Sequence, residues 1–166
     1  MIRTKDFYLK KIYNLEGKKI GTIKDIYINF YEKKLEGFEV SNTAFFSKKN
    51  YISIDDVMDV GEDIVAKDLK NGNGLKFKDI KDLDVMDTHS KLKGAVEDLL
   101  IDRNNYTIKA MIITSGFIDK ILKGKEVILL NECILGDDYI LYTGKENISF
   151  KSIPHNMTKY EFDKKI

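Results

Sequence analysis

Few residues in this chain have the types and spacing that chemistry demands. It holds two histidines, His89 and His155, and a single cysteine, Cys133. Tetrahedral zinc takes such ligands in close pairs, and no such pair exists here, so no metal site is expected. Carboxylates gather at Asp55, Asp56, Asp59, Glu62 and Asp63, and again at Asp79, Asp82, Asp84 and Asp87. A calcium loop of the EF-hand type needs glycine at its sixth position and glutamate at its twelfth. Counted from Asp82, those positions hold Asp87 and Lys93, so the acids read as solvated turns. Ser47, Ser53, Ser90 and Ser115 have no histidine in a nucleophile signature. Asn71-Gly72-Asn73-Gly74 lacks the lysine and the strand-to-helix setting of a phosphate cradle. No catalytic residue and no cofactor are expected, and the chain reads as a non-enzyme.

Binding is the remaining class. Tyr8, Tyr13, Tyr27 and Tyr31 stand among Lys10-Lys11, Lys18-Lys19 and Lys33-Lys34, the ingredients of a base-stacking face over a basic groove. Against RNA stands the charge balance: residues 1–72 hold 13 Lys/Arg and 12 Asp/Glu, and residues 73–144 hold 10 and 12. Phosphate-backbone binding normally draws on an excess of positive charge. Phe45 and Phe46, adjacent in a predicted loop, and Phe117 in the corresponding loop further on, are the candidate contacts to a protein partner. The competing reading has these rings plugging the open end of their own barrel. An unidentified protein partner is the expected one, self-association is a further reading, and direct RNA contact is the alternative.

The elements that position these residues read mainly as strands. Apolar side chains at 26, 28 and 30 alternate with Tyr27 and Asn29, the period of a half-buried strand. A polar turn at 31–34 follows, and Leu35 to Val40 restarts the pattern, a hairpin signal. Leu99 and Ile101, a turn at 102–105 and Ile108 to Ile113 repeat it. Phe117 to Leu122 has apolar residues at the spacing of one short helix. Cys133 closes an apolar run and reads as a buried, inert thiol.

Sliding the sequence against itself by 73 positions exposes a duplication. Lys18 meets Lys91, Gly21 meets Gly94, Asp25 meets Asp98, Ile28 meets Ile101, Leu35 meets Ile108 and Phe38 meets Met111. Beyond a two-residue insertion, Ile52 meets Val127 and Gly61 meets Gly136. Two domains follow, residues 1–70 and 75–144, joined through a flexible Asn-Gly linker with little to bury. Residues 145–166 fall outside the repeat as a C-terminal tail, partly ordered at best. Short strands about 10 residues apart imply small closed barrels, and two marginal domains of this size are expected to share an interface.

Gly17-Lys18-Lys19-Ile20-Gly21-Thr22-Ile23-Lys24-Asp25-Ile26 resembles the opening signature of PRC-barrel domains. Ile52 to Asp63, with its Gly61-Glu62-Asp63 turn, resembles the closing segment. The second copy keeps Gly94, Asp98 and Gly136 but has Ser90 where Gly17 stands and Lys93 before its glycine. The resemblance implies two tandem PRC-barrels of about six short strands each, mostly β, with Gly17, Gly21, Asp25, Gly61, Gly94, Asp98 and Gly136 as fold-signature positions. It implies protein contact rather than chemistry. Such barrels occur in a bacterial maturation factor of the small ribosomal subunit, in the photosynthetic reaction-centre H subunit and in short stand-alone bacterial proteins. An adaptor of unknown process, probed against a ribosome-associated factor that contacts RNA directly, is the reading carried forward. Charges at the N-terminus, where a signal peptide is apolar, and no run near 18 apolar residues imply a cytoplasmic protein with no membrane partner.

Overall fold

A computed structural model describes residues 1–42, 49–114, 125–144 and 148–150. The alternation read from the sequence becomes strands. In the first half these are β1 (Ile2–Arg3), β2 (Lys11–Tyr13), β3 (Lys19–Asn29), β4 (Lys34–Asn42), β5 (Tyr51–Ser53), β6 (Val57–Val60) and β7 (Ile64–Ala66). A helical turn α1 (Phe77–Ile80) opens the second half. There follow β8 (Asp84–Asp87), β9 (Leu92–Ile101), β10 (Ile108–Thr114), β11 (Lys125–Leu129), β12 (Cys133–Leu135), β13 (Tyr139–Tyr142) and β14 (Ile148–Phe150).

Two sheets result, in the orders β5-β4-β3-β2-β7-β6 and β12-β13-β8-β9-β10-β11-β14, with β1 added to β9. The architecture is mostly β and barrel-like. Both sheets curl over an apolar core, because inward side chains such as Ile26, Phe38, Ile52 and Ile64, and Val85, Leu99, Met111 and Ile140, are buried on one face. Among the described residues no ladder joins β5 to β6, so hydrogen bonding does not close the first sheet completely. The 3-10 turn Ile54–Asp56 carries the chain across that gap.

The offset of 73 is written into the backbone. Left-handed φ values recur in pairs: Leu9 and Asp82 (65° and 65°), Gly17 and Ser90 (77° and 60°), Lys33 and Tyr106 (57° and 56°). Ser90 therefore holds the conformation that Gly17 adopts without a Cβ. The two halves also exchange segments. Ile2 of β1 pairs with Ile101 of β9, and 73 residues on, the Ile28 N–H donates to the Leu75 carbonyl at 2.9 Å. At the centre the Leu35 N–H donates to Tyr106 O (3.0 Å) and the Ile108 N–H to Lys33 O (2.7 Å), a reciprocal pair about a local two-fold. The expected interface between the halves is thus a strand exchange.

Two expectations change here. The Asn-Gly linker is anchored at one point: Asn71, Asn73 and Gly74 are exposed, but Tyr51 bridges the preceding Lys70, and a Cβ on Gly72 would stand 2.7 Å from both the Tyr27 hydroxyl and Tyr51 Cβ. The glycine is needed because the chain crosses directly over the Tyr27 phenol and the Tyr51 Cβ. Likewise, the segment placed wholly outside the repeat begins with β14, whose Ser149 pairs with Glu126 of β11. Lys70 fills the matching place beside Tyr51 in the first half.

Candidate interaction surface

The signature positions turn out to build the fold. Gly21 lies inside β3, and a Cβ there would meet Val40 Cγ1 at 2.3 Å and Ser41 O at 2.6 Å on β4. Gly94 is likewise within β9, and Gly61 and Gly136 open the turns before β7 and β13. Asp25 and Asp98 are buried, at 2% and 3% exposure. A register shift just before each aspartate, the mark of a β-bulge, aims it inward. Asp98 accepts hydrogen bonds from Leu99 N (2.9 Å), Thr4 N (3.0 Å), the Thr4 hydroxyl and Arg3 Nε (2.8 Å). Asp25 accepts from Ile26 N (2.8 Å), and more distantly from Lys78 N and the Tyr8 hydroxyl, both 3.4 Å. Each aspartate therefore ties its own strand to the leading turn of the other half. Burial raises the Asp25 pKa above the ordinary carboxylate value, partly offset by the backbone N–H groups of Ile26 and Lys78.

The tyrosine–lysine set does not form one face. Tyr27 is buried at 2% exposure, edge-on to Tyr51 at 5.0 Å, with Lys76 Nζ 5.3 Å from its ring. Tyr8 is turned toward Asp25, and burial lifts its hydroxyl well above the ordinary phenol range. Of the four, Tyr31 alone is largely exposed. Phe45, Phe46 and Phe117, and the short helix expected over Phe117–Leu122, lie outside the described residues. Cys133 is partly buried, and burial together with neighbouring Glu132 pushes its thiol pKa up to about 12, which keeps it protonated and unreactive.

A different feature stands out on the outer face of the second sheet. Ile134 pairs with Leu141, Leu141 with Met86, and Met86 with Leu92, so four apolar side chains lie in one row across β12, β13, β8 and β9. Cross-strand partners share a face. Ile134 and Leu92 are 52% and 56% exposed, while the inward neighbours Val85 and Ile140 are fully buried. Tyr139, 42% exposed, extends the patch from the next row. With strands about 4.8 Å apart, the row is about 14 Å wide.

The first half shows that the fold does not require this row. Its equivalent runs Asp59, Val65, Tyr13, Lys19 across β6, β7, β2 and β3, in the same pairings, with charged residues at both ends. Exposed apolar side chains there, such as Leu9, Leu15 and Met58, sit in turns or at a bulge rather than in a registered row. The signal was present in the sequence, since the 73-residue offset sets Tyr13 against Met86 and Lys19 against Leu92. Only the register shows that these substitutions fall in one line.

Two small pockets lie where the halves meet. One, of about 130 Å³, is lined by Ile2, Asp6, Phe7, Lys10, Val60, Gly61 and Arg103. Lys10 Nζ donates there to the carbonyls of Gly61 (2.6 Å) and Glu62 (2.8 Å), and Arg103 Nη2 to that of Val60 (3.2 Å). Its counterpart, of about 270 Å³, is lined by Leu75, Ile80, Leu83, Leu135 and Gly136, with Tyr31, Asp79 and Asp137.

Fold and surface together define a small barrel-like β protein with an exposed apolar sheet face. Residues 1–70 are similar to the PRC-barrel domain, whose family model matches them. No curated protein matches the chain. Among the described residues, no helix is long and apolar enough to cross a membrane.

Proposed function

We propose that the chain is a non-enzymatic protein-binding module, a tandem of two PRC-barrels in which the second copy has diverged to carry the docking face. The tandem reading is supported by the shared left-handed positions and by the reciprocal exchange of leading segments, both at an offset of 73. The docking reading rests on one observation: the row Ile134–Leu141–Met86–Leu92 is apolar where the same fold position in the first half is Asp59–Val65–Tyr13–Lys19. Exposed registered apolar surface costs solubility and contributes nothing to the core, so a partner that covers it accounts for its presence. The row ends on β12, a strand at the end of its sheet path, whose edge also invites a partner's strand.

Site-specific photo-crosslinking tests this in cells of the source organism. A crosslinker in place of Leu92 is expected to capture a protein in a nuclease-resistant product, and one in place of Lys19 is not. Capture at neither position, or products that nuclease destroys, would overturn the reading; the second result would favour the RNA alternative.

A further inference from the structure

We infer that the larger pocket, at the end of the apolar row, receives a lysine or arginine side chain of the partner. This rests on the docking reading above and names the chemistry of what docks. The smaller pocket is the template. There Lys10 and Arg103 place an ammonium and a guanidinium on the carbonyls of Val60, Gly61 and Glu62. In the larger pocket Leu83 stands where Lys10 stands. The backbone is the same bond for bond: Lys10 N donates to Phe7 O and Leu83 N to Ile80 O, while Lys10 O accepts from Ile23 N and Leu83 O from Val96 N. Leu83 ends in methyl groups, and among the described residues lining this pocket none is basic. From the opposite hairpin comes Tyr31, whose hydroxyl donates to Leu135 O at 3.4 Å, in place of a guanidinium.

The cavity is thus enlarged from about 130 to about 270 Å³, its own cations are gone, and the acidic lining stays with Asp79 and Asp137. Exposed Asp82, Asp84 and Asp138 stand beside it in sequence, against Lys78, Lys81 and Lys91 as exposed bases nearby. Leu83 and Leu135 in the pocket are the immediate chain neighbours of Asp84 and of Ile134 on the outer face, so one ligand spans both features. A row about 14 Å wide suits one strand or one helix of about 10 Å diameter, not a standard interface of about 800 Å² per partner. The occupant is a protein segment with a lysine or arginine flanked by apolar side chains.

The test uses the full chain and three synthetic nine-residue peptides alternating leucine with lysine, with acetyl-lysine or with glutamate. Amide chemical shifts and calorimetry are the readouts. The lysine peptide is expected to shift the amides of Leu83, Gly136, Asp137, Met86 and Leu92, and the other two peptides to bind at least tenfold more weakly. Leu83→Lys, which restores the ammonium of the first half, should weaken the lysine peptide at least tenfold. Asp137→Lys, on an exposed turn, should do the same without touching a packed position. Leu9→Lys adds the same charge to the first half and should change nothing. Undiminished binding by both pocket variants would overturn the cation pocket. If Leu92→Lys with Ile134→Asp then still abolished binding, the docking face would stand alone; if it did not, both readings would fall.

Discussion

The two halves of this molecule share a backbone and differ in what they show to solvent. The first half ends its outer row in Asp59 and Lys19 and fills its pocket with Lys10 and Arg103. The second replaces the row with Ile134, Leu141, Met86 and Leu92, and the lysine with Leu83. Because inward positions stay apolar in both, the difference does not arise from folding. The first half acts as an internal control for the second, separating what a barrel needs from what this surface adds.

The largest expected effect breaks the symmetry of the exchange itself. Asp98 holds Thr4, Arg3 and Leu99, whereas Asp25 holds its cross-half partner at 3.4 Å. Removing a buried carboxylate that pairs with a cation leaves its donors stranded, so Asp98→Ala should cost about 3–5 kcal/mol in urea unfolding. Asp25→Ala, which strands mainly backbone donors, should cost about 1–3 kcal/mol. Equal costs would mean that the two ties are equivalent despite their geometry.

Next come the transplants. Leu92→Lys with Ile134→Asp writes the first half's residues into the second, and should remove partner capture while shifting stability by no more than about 0.5 kcal/mol per site, as for exposed positions generally. The reverse pair, Lys19→Leu with Asp59→Ile, should create a second sticky row and concentration-dependent self-association in sedimentation velocity. A monomer that stays monomeric would show that the row alone is not adhesive.

The smallest effect is electrostatic. Burial raises the Asp25 pKa in the fold above its unfolded value. The folded state therefore binds the proton more tightly than the unfolded state. Relative to Asp25→Asn, the wild type should lose stability as pH rises from the ordinary carboxylate range through the folded pKa, and level off above it. Melting temperatures of the two proteins from pH 4 to 7 would reveal the slope; parallel curves would deny it.

The hairpins were legible because alternation at 26, 28 and 30 has one structural meaning, and the repeat was legible because Lys18, Gly21, Asp25 and Ile28 recur in one register as Lys91, Gly94, Asp98 and Ile101. The role of the aspartates was not. A signature residue looks alike whether it binds something or caps the neighbouring half, and only the fold brings Thr4 to Asp98. The exchange of leading segments was hidden for the same reason, since β1 pairs 99 residues away. Gly72 misled because Asn-Gly pairs read as free turns, whereas here the missing Cβ admits the Tyr27 phenol and the Tyr51 Cβ. The apolar row was half visible: residue types at 86 and 92 differ from 13 and 19, but a line across four strands exists only once the register is known.

The most direct measurement is crosslinking in cells from Leu92 set beside crosslinking from Lys19, the same fold position in the two halves. A nuclease-resistant protein adduct at Leu92, absent at Lys19 and lost when Ile134→Asp is added, is the predicted result. Equal adducts at both positions, or none at Leu92, would contradict the claim that the second half carries the docking face.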